Sequence, residues 1–509
     1  MRRAKDIDIA LAPRPEGAPL QQWLYDEIRK SILRGTFAPG SRLPPTRDFA
    51  ERFKISRGTV VEAFAQLTAE GYLFAVVGRG SFVAAELPED RLPTQKRKSA
   101  QLTSVSPEQN TKIELSNRGR LLAQSPFRIQ GRDFSTRAFR PSQPDLAAFP
   151  FALWSKLASR RHRRARGELL ADGEAQGYRP LRDAIADHVR TSRGIGCSGD
   201  NIVILGSVQQ AIDLTVRLLL DPGDTAIVED PGYPGGNLVF AAAGARVIGV
   251  PVDSEGIDVA LARQTEPGAR LIYVTAGRQA PLGPTLSLER RLALLSWAKD
   301  TGMLILEDDY DSEFRFEGRP LAALKSLDTL GHVIYCGTFS KLLFPALRIA
   351  YAVVPDRLVD AFVAALSLSF RYVAIDQQSI LHAFIAEGHL GRHVRRMRLL
   401  YGERAQALEQ AIHRRLGGML HLPPITMGLD TPAFLNAGAN DSIAWECAAS
   451  AGIETRPLSY YSFRRSSQPG LVLGFAAVDV DAIHEGVDTL AAALEKSMSG
   501  DLQRGETKL

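Results

Sequence analysis

The stretch YCGTFSKLLFPALR, residues 335–348, ends an apolar run in a hydroxyl-bearing turn that carries Thr338, Ser340 and Lys341, with Arg348 close behind. Lysine can lose its proton when desolvated and become a nucleophile, whereas arginine stays charged and forks onto oxyanions. Hydroxyls, a lysine and an arginine at one strand end therefore suit an anion held beside a reactive amine. Alone, Lys341 reads more readily as a surface lysine than as a nucleophile. What decides between the two is whatever else collects at strand ends.

Several apolar, β-branched runs recur along the chain: NIVILG (201–206), TAIVED (225–230), ARVIGVPV (245–252), RLIYVTA (270–276), MLILEDDY (303–310) and HVIYCGT (332–338). Helical stretches such as SVQQAIDLTVRLLL and SLERRLALLSWAKDTG separate them. Near-continuous apolar strands alternating with helices predict an α/β fold with a parallel sheet covered on both faces. Ligands on such sheets sit at the carboxyl ends of strands. The polar residues fall there: Ser207, Val208 and Gln209 after the first strand, Tyr233 after the second, Asp308 and Tyr310 after LILE, Thr338, Ser340 and Lys341 after VIYC. A Gly-Ser turn opening a helix offers amides to a phosphate, and Thr338, Ser340 and Arg348 add donors. An acid can pair with a protonated ring nitrogen, Tyr233 can face a ring, and a lysine amine can condense with an aldehyde. Together these describe a pyridoxal phosphate site. The alternative for Asp308 and Asp309, a divalent cation, lacks further carboxylates at ligand spacing.

The first part of the chain is a different body. PLQQWLYDEIRKSILR (19–34) puts Leu20, Leu24, Ile28 and Ile32 on one helical stripe. A short helix capped by Thr46, with Phe49, Ala50 and Phe53 inward, then a turn and a helix over 57–70 capped by Ser56, with Val60, Val61, Phe64 and Leu67 inward, follow. LFAVVGRGSFV (73–83) alternates around Gly78-Arg79-Gly80 as a hairpin would. This order predicts a winged helix-turn-helix, whose second helix enters the major groove of double-stranded DNA. Residues 85–132 are polar and aperiodic and read as an extended linker. The globular pattern resumes at 133 and ends near 497, with a disordered tail expected beyond.

Bulk properties agree. The 509 residues suggest two or three domains, and 45% hydrophobic with 23% charged residues is ordinary globular composition. Net charge is +5, which permits a nucleic-acid partner. Three scattered cysteines, no signal-like leader and no apolar run of membrane length predict a cytoplasmic protein without membrane association. RRHRRARGE (160–168) reads as a solvated face or a DNA-backbone contact. His389 and His393 lack the acid of a zinc motif.

GSRLPPTRDFAERFKISRGTVVEAFAQLTAEGYL (40–73) and GRGSFV (78–83) resemble the GntR family of bacterial regulators over residues 18–84. GSVQQAIDLTVRLLLDPGD, VEDPGYPG, LEDDYDSEFRFEGRPL and GTFSKLLFPALR resemble fold type I aminotransferases, and the joined pair resembles the MocR/GabR subfamily. The resemblance implies a winged helix-turn-helix (18–84), a linker (85–132) and an aminotransferase-like, pyridoxal phosphate-binding and dimerising domain (133–497). It implies DNA contacts from Arg47, Ser56, Arg57, Thr59 and the wing Gly78, Arg79 and Gly80. It implies that Lys341 holds the cofactor as a Schiff base and that Asp308 pairs with its ring nitrogen. Tyr233 and Tyr310 would flank the ring; Ser207, Val208, Gln209, Thr338, Ser340 and Arg348 would surround the phosphate. Departures are Arg278 and Ala280 in GRQAP (277–281), Val472 where aminotransferases carry a carboxylate-gripping arginine, and Asp172 where a partner-subunit tyrosine is expected. The expected function is a homodimeric regulator that binds operator DNA and senses pyridoxal phosphate or an amine or amino-acid effector. The alternative is a working aminotransferase with an appended DNA-binding domain.

Overall fold

The computed structural model describes residues 11–15, 17–88, 114–125, 127, 137–164, 167, 171–318, 321–463 and 468–505, with no side chains described after 496. The chain forms two compact units, Met1–Ile113 and Glu114–Leu509.

In the first unit, helices α1 (Leu20–Leu33), α2 (Thr46–Arg52) and α3 (Arg57–Ala69) precede a hairpin of β1 (Leu73–Val76) and β2 (Gly80–Val83). Leu24, Ile28, Ile32, Phe49, Val60, Phe64 and Leu67 form its core. This is a winged helix-turn-helix. Ser56 caps α3 as expected, its side chain accepting from the Thr59 amide at 3.1 Å. Two expectations fail. Thr46 is the first helical residue and Pro45 precedes it as a cap without a side-chain bond. Val61 is 45% exposed, and Ala63 is buried instead. The buried set 60, 63, 64, 67 follows helical spacing, and position 61 lies about 100° round from 60.

The second unit is built on an eight-stranded sheet in the order β3-β10-β9-β8-β7-β4-β5-β6. Its strands are β3 (Ile202–Leu205), β4 (Thr225–Asp230), β5 (Arg246–Asp253), β6 (Gly256–Ile257), β7 (Leu271–Val274), β8 (Leu304–Asp309), β9 (Val333–Thr338) and β10 (Ala350–Val353). β9, β8, β7, β4 and β5 run parallel. The fully buried sequences IVIL, LIYV and AYAV explain why helices cover both faces. β10 corrects the expectation of a purely parallel sheet: it runs antiparallel between β3 and β9. Strand β3 therefore points the same way as β9, and the expected site loops all leave one edge. A second sheet has the order β11-β12-β14-β13, with β11 (Leu420–His421), β12 (Asp430–Leu435), β13 (Arg456–Pro457) and β14 (Gly470–Gly474).

Two boundaries move. Within the expected linker, Asn117–Leu122 is helical, capped by the Ser116 side chain, and Arg118 donates to the Ala242 carbonyl at 2.9 Å. Local capping and one long side chain thus dock a segment that composition marks as polar and aperiodic. Residues 89–113 of that linker lie outside the described set. The last helix, Val480–Gly505, continues beyond residue 497. Lys496, Met498, Asp501 and Leu502 offer no helix breaker, and Gly500 is tolerated at modest cost. Among described residues, no helix is long and apolar enough to cross a membrane.

The helix Arg179–Arg193 is tied to the sheet by one buried ion pair. Arg193 reaches Asp309 at 2.7 Å and Glu313 at 2.8 Å, with its side chain 4% exposed. Removing the cation leaves buried Asp309 and the largely covered Glu313 without it, so Arg193→Met should cost about 3–5 kcal/mol in chemical denaturation. The exposed pair Arg190–Asp187 should cost under about 1 kcal/mol when broken by Arg190→Met. Equal losses would contradict this account of the sheet edge.

Candidate functional site

Three consecutive acids, Glu307, Asp308 and Asp309, end the central strand β8, and all are buried. Strand alternation sends Glu307 and Asp309 to one face and Asp308 to the other. Glu307 accepts from the Leu324 and Lys325 amides, each at 2.8 Å. Asp309 accepts from Arg193, from the Tyr335 hydroxyl at 2.8 Å and from Ser312. Asp308 has a thinner shell. Its Oδ2 accepts from the Tyr273 hydroxyl at 2.7 Å, and its Oδ1 is buried with no hydrogen-bond partner among the described residues. Burial pushes its pKa up to about 7, against the Tyr273 bond and the Lys341 charge, which lower it. A buried acceptor without a donor costs about 1–3 kcal/mol. A protonated ring nitrogen is a group that would supply the missing donor.

The other expected residues gather around this acid. Lys341 lies in the short helix Phe339–Leu342, which Thr338 caps by accepting from the Ser340 amide at 3.1 Å. Lys341 is within electrostatic reach of Asp308, and its Nζ donates to the Ser142 carbonyl at 2.7 Å. Ser207 caps the helix Val208–Leu219, its side chain accepting from the Gln210 amide, so Val208 and Gln209 open a helix whose amides face outward from the sheet edge. The Tyr233 hydroxyl donates to Gln209 Oε1 at 3.1 Å. Burial raises the Tyr233 pKa, and Asp308 raises it further while Arg348 lowers it, so the three share one neighbourhood. Arg348 is exposed and holds a left-handed backbone at φ 51°. The set offers an anion cradle, an aromatic face, an open carboxylate and an amine.

The side facing away from the cradle is committed differently. Arg278 is fully buried and donates to Asp311 at 3.2 Å, to Asp430 Oδ1 at 3.0 Å and to the Tyr310 hydroxyl at 2.6 Å. One guanidinium thus serves two carboxylates, and burial pushes Asp311 up to about 7 even beside it. Tyr310 spends its hydroxyl on Arg278 rather than standing free. Asp430 Oδ2 accepts from both the amide and the hydroxyl of Ser142, at 2.8 and 2.9 Å, which holds Ser142 in a left-handed conformation at φ 58°. Arg278, Asp430, Ser142 and Lys341 therefore form one chain of contacts. Ala280 adds no side-chain reach, and its amide donates to Thr275. Val472 is 1% exposed on β14.

Sequence reasoning passed over several of these groups. Tyr273 is the one polar residue of LIYV, and that oddity was its signal. Ser142 and Asp430 are distant in sequence and carry no motif, and Asp311 lies within LEDDYDSEFRFEGRPL with no feature that marks it out from its neighbouring acids. Phe127 sits in the segment read as linker, yet its ring lies 6.0 Å from that of Tyr233 at an interplanar angle of 29°.

In the first unit, Arg47, Arg57 and Arg79 are exposed, at the starts of α2 and α3 and at the hairpin tip. Ser56, Gly78 and Gly80 are exposed as well, and Thr59 is half-buried. None of the three arginines forms an ion pair among the described residues. A cation at a helix start opposes the helix dipole, so Arg57 does not serve α3 itself. Gly78 and Gly80 take φ 77° and 102°, which a side-chain-bearing residue rarely adopts.

The remaining candidates stay apart from the site. Arg160 pairs with Glu387, Arg161 reaches the Tyr178 hydroxyl at 3.2 Å and His162 reaches Asp376 at 2.7 Å, so much of the basic run is spent within its own unit. His393 packs on Phe149, and burial lowers its pKa to about 4. His389 lies 3.4 Å from Glu387. Asp172 accepts from the Tyr372 hydroxyl at 3.1 Å.

Family models agree with this geometry. "Aminotransferase class I and II" matches residues 148–428, and "Bacterial regulatory proteins, gntR family" matches residues 20–83. The chain is 37% identical to the probable rhizopine catabolism regulatory protein MocR of Rhizobium meliloti, over 96% of this chain and 97% of that one. It is 32% identical to the HTH-type transcriptional regulator TauR of Rhodobacter capsulatus, over 95% and 98%. The second unit is similar to the α-aminoadipate aminotransferase LysN of Thermus thermophilus, solved with N-(5'-phosphopyridoxyl)-L-leucine, at a TM-score of 0.66 and 27% identity, covering 71% of this chain and 92% of that one. An N-terminal winged helix-turn-helix joined to a fold type I aminotransferase domain, in a chain alike from end to end to named regulators, places this protein in the MocR-type GntR family of transcriptional regulators.

Proposed function

We propose that this regulator is a cytoplasmic homodimer that binds pyridoxal phosphate at Lys341 and reports the state of that site to operator DNA. Residues 18–84 would read the operator and residues 133–497 would hold the ligand. The observation that carries the reading is Asp308: a buried carboxylate oxygen with no donor, beside Tyr273, within electrostatic reach of Lys341.

Bound there, the cofactor would supply an aldehyde carbon and an electron-withdrawing ring. Asp308 would hold a proton on the ring nitrogen, and Tyr273 would keep that carboxylate aimed. Lys341 would exchange its Ser142 contact for the aldehyde. The start of the helix Val208–Leu219, with Ser207, Gln209, Thr338, Ser340 and Arg348, would hold the phosphate. Tyr233 would cover the ring. Turnover is disfavoured because Arg278 is consumed by Asp311 and Asp430, and Val472 offers no charge. The unit then works as a sensor.

Phe127 supports a route for the signal. It lies in the first stretch of the second unit and stacks on Tyr233, whose hydroxyl meets the phosphate-side Gln209. Filling the site would fix Tyr233 and with it Phe127, in the part of the second unit that follows the first in sequence. By linkage, DNA must alter ligand affinity by the same factor as ligand alters DNA affinity.

The two functions should separate by mutation. Lys341→Ala should lose the borohydride-sensitive visible band that wild type gains with pyridoxal phosphate, while Arg57→Ala should keep the band and lose operator binding. A colourless wild type, or an Arg57→Ala protein that binds operator normally, would sink the reading. In electrophoretic mobility assays, ligand should shift wild-type operator affinity by about 5- to 150-fold, and Phe127→Ala should reduce that shift to within about twofold. An undiminished shift would exclude Phe127 from the route.

A further inference from the structure

The helix Pro234–Ala242 starts directly after Tyr233 and is covered lengthwise by an earlier segment of the chain. The short helix Asn117–Leu122 packs on it. Arg118 donates from Nε to the Ala242 carbonyl at 2.9 Å, in the last turn. Phe127 rests at the other end, against the Tyr233 ring and over Gly235. That seat needs a glycine: a Cβ at position 235 would stand 2.7 Å from the Phe127 ring. Residues 114–127 thus run from the end of this helix to its start.

Little else holds the segment down. No residue of the helix Asn117–Leu122 is buried. Leu115, Leu122 and Phe127 stay 52%, 50% and 47% exposed. A helix of six residues is too short to persist in water alone, and Gly119 in its interior weakens it further. Its order therefore comes from docking. The dock consists of one cationic donor at a helix C-terminus, where the dipole favours it, and one ring contact. Segments of this kind lie at the low end of local stability, where a small bias moves them.

The site supplies that bias through Gln209. Its Oε1 accepts from the Tyr233 hydroxyl at 3.1 Å, and its Nε2 donates to the Gly235 carbonyl at 2.9 Å. One side chain holds both residues on which Phe127 rests. Gln209 is also the second residue of the helix Val208–Leu219, whose open amides form the anion cradle. An anion in the cradle fixes Gln209, Gln209 fixes Tyr233 and Gly235, and the seat for Phe127 is complete.

We infer that residues 114–127 are a detachable strap, docked on the helix Pro234–Ala242 when a phosphate-bearing ligand fills the site and released when the site is empty. The inference rests on the reading of the Lys341 site as one for pyridoxal phosphate. It adds a second anchor, Arg118, at the end of the helix away from Tyr233. Release adds the strap to the chain that separates the DNA-reading residues from the body of the second unit, so the ligand sets the length of that separation.

The test is hydrogen exchange, read by mass spectrometry on the full-length protein with and without pyridoxal phosphate, alongside the visible absorbance band. In empty wild type, the amides of residues 117–125 should exchange within about threefold of unstructured peptide. Once the band is saturated they should exchange at least about 5-fold more slowly. Arg118→Ala should keep the band and lose the slowing to within about twofold, the loss of a charged donor's contact. Arg118→Lys keeps a cationic donor and should recover part of it. Strong protection of these amides without ligand, or a band that appears with no change in their exchange, would overturn the strap and leave the cofactor reading standing. So would an Arg118→Ala protein that keeps the full slowing, or one that loses the band. Absence of the band in wild type would overturn the cofactor reading, and the strap with it.

Discussion

Burying three consecutive carboxylates at the end of one strand is the constraint around which the second unit is arranged. A carboxylate leaves water only if donors replace it. Glu307 takes two backbone amides from residues 324 and 325, which fixes the turn before β9. Asp309 takes Arg193 and Tyr335, which fixes the helix Arg179–Arg193 and the neighbouring strand. Asp308, facing the other way, takes Tyr273 and stops there. Two of the three acids serve the fold. The third is left with an open oxygen at the edge where Lys341, Tyr233 and the Val208 helix converge.

The same accounting divides the pocket. On the cradle side, helix starts and hydroxyls are left available, as an anion requires. On the substrate side, Arg278 is locked between Asp311 and Asp430, so the departure at that position builds a wall. On the other face of Tyr233's neighbourhood, Phe127 from the first stretch of the second unit lays its ring 6.0 Å from the Tyr233 ring.

Much of this was legible in the sequence because its signals are local. The helix spacing of Leu24, Ile28 and Ile32, the Ser56 cap, and the runs IVIL and LIYV need only neighbours to be read. So do the polar clusters at strand ends, Ser207 to Gln209 and Thr338 to Lys341. What stayed hidden depends on pairing across distance. β10 reads as any apolar tetrapeptide, and only its partners make it antiparallel. The hold of Tyr273 on Asp308 and the bridge from Ser142 to Asp430 join residues far apart in the chain. Val61 was misplaced because β-branched apolar residues pull a periodicity reading inward even when the helix turns them out. The helix Asn117–Leu122 was missed because its stability comes from a cap and a docking contact, with no buried stripe of its own.

The central claim is that Asp308 is kept for a ligand at the expense of the empty fold. Its pKa stands near 7 when folded against an ordinary 3.8, owing first to burial. An acid raised in this way weakens the apo protein as pH rises from its ordinary value through about 7, by an amount on the order of a few kcal/mol at pH 8. The decisive measurement is therefore paired: apo stability at pH 8 and pyridoxal phosphate affinity, for wild type and Asp308→Asn. The account predicts a variant whose apo form is at least as stable as wild type and whose cofactor affinity falls by about 100-fold or more, since the ring nitrogen loses its charged partner. An apo form destabilised as severely as Arg193→Met, or a cofactor affinity left unchanged, would contradict it.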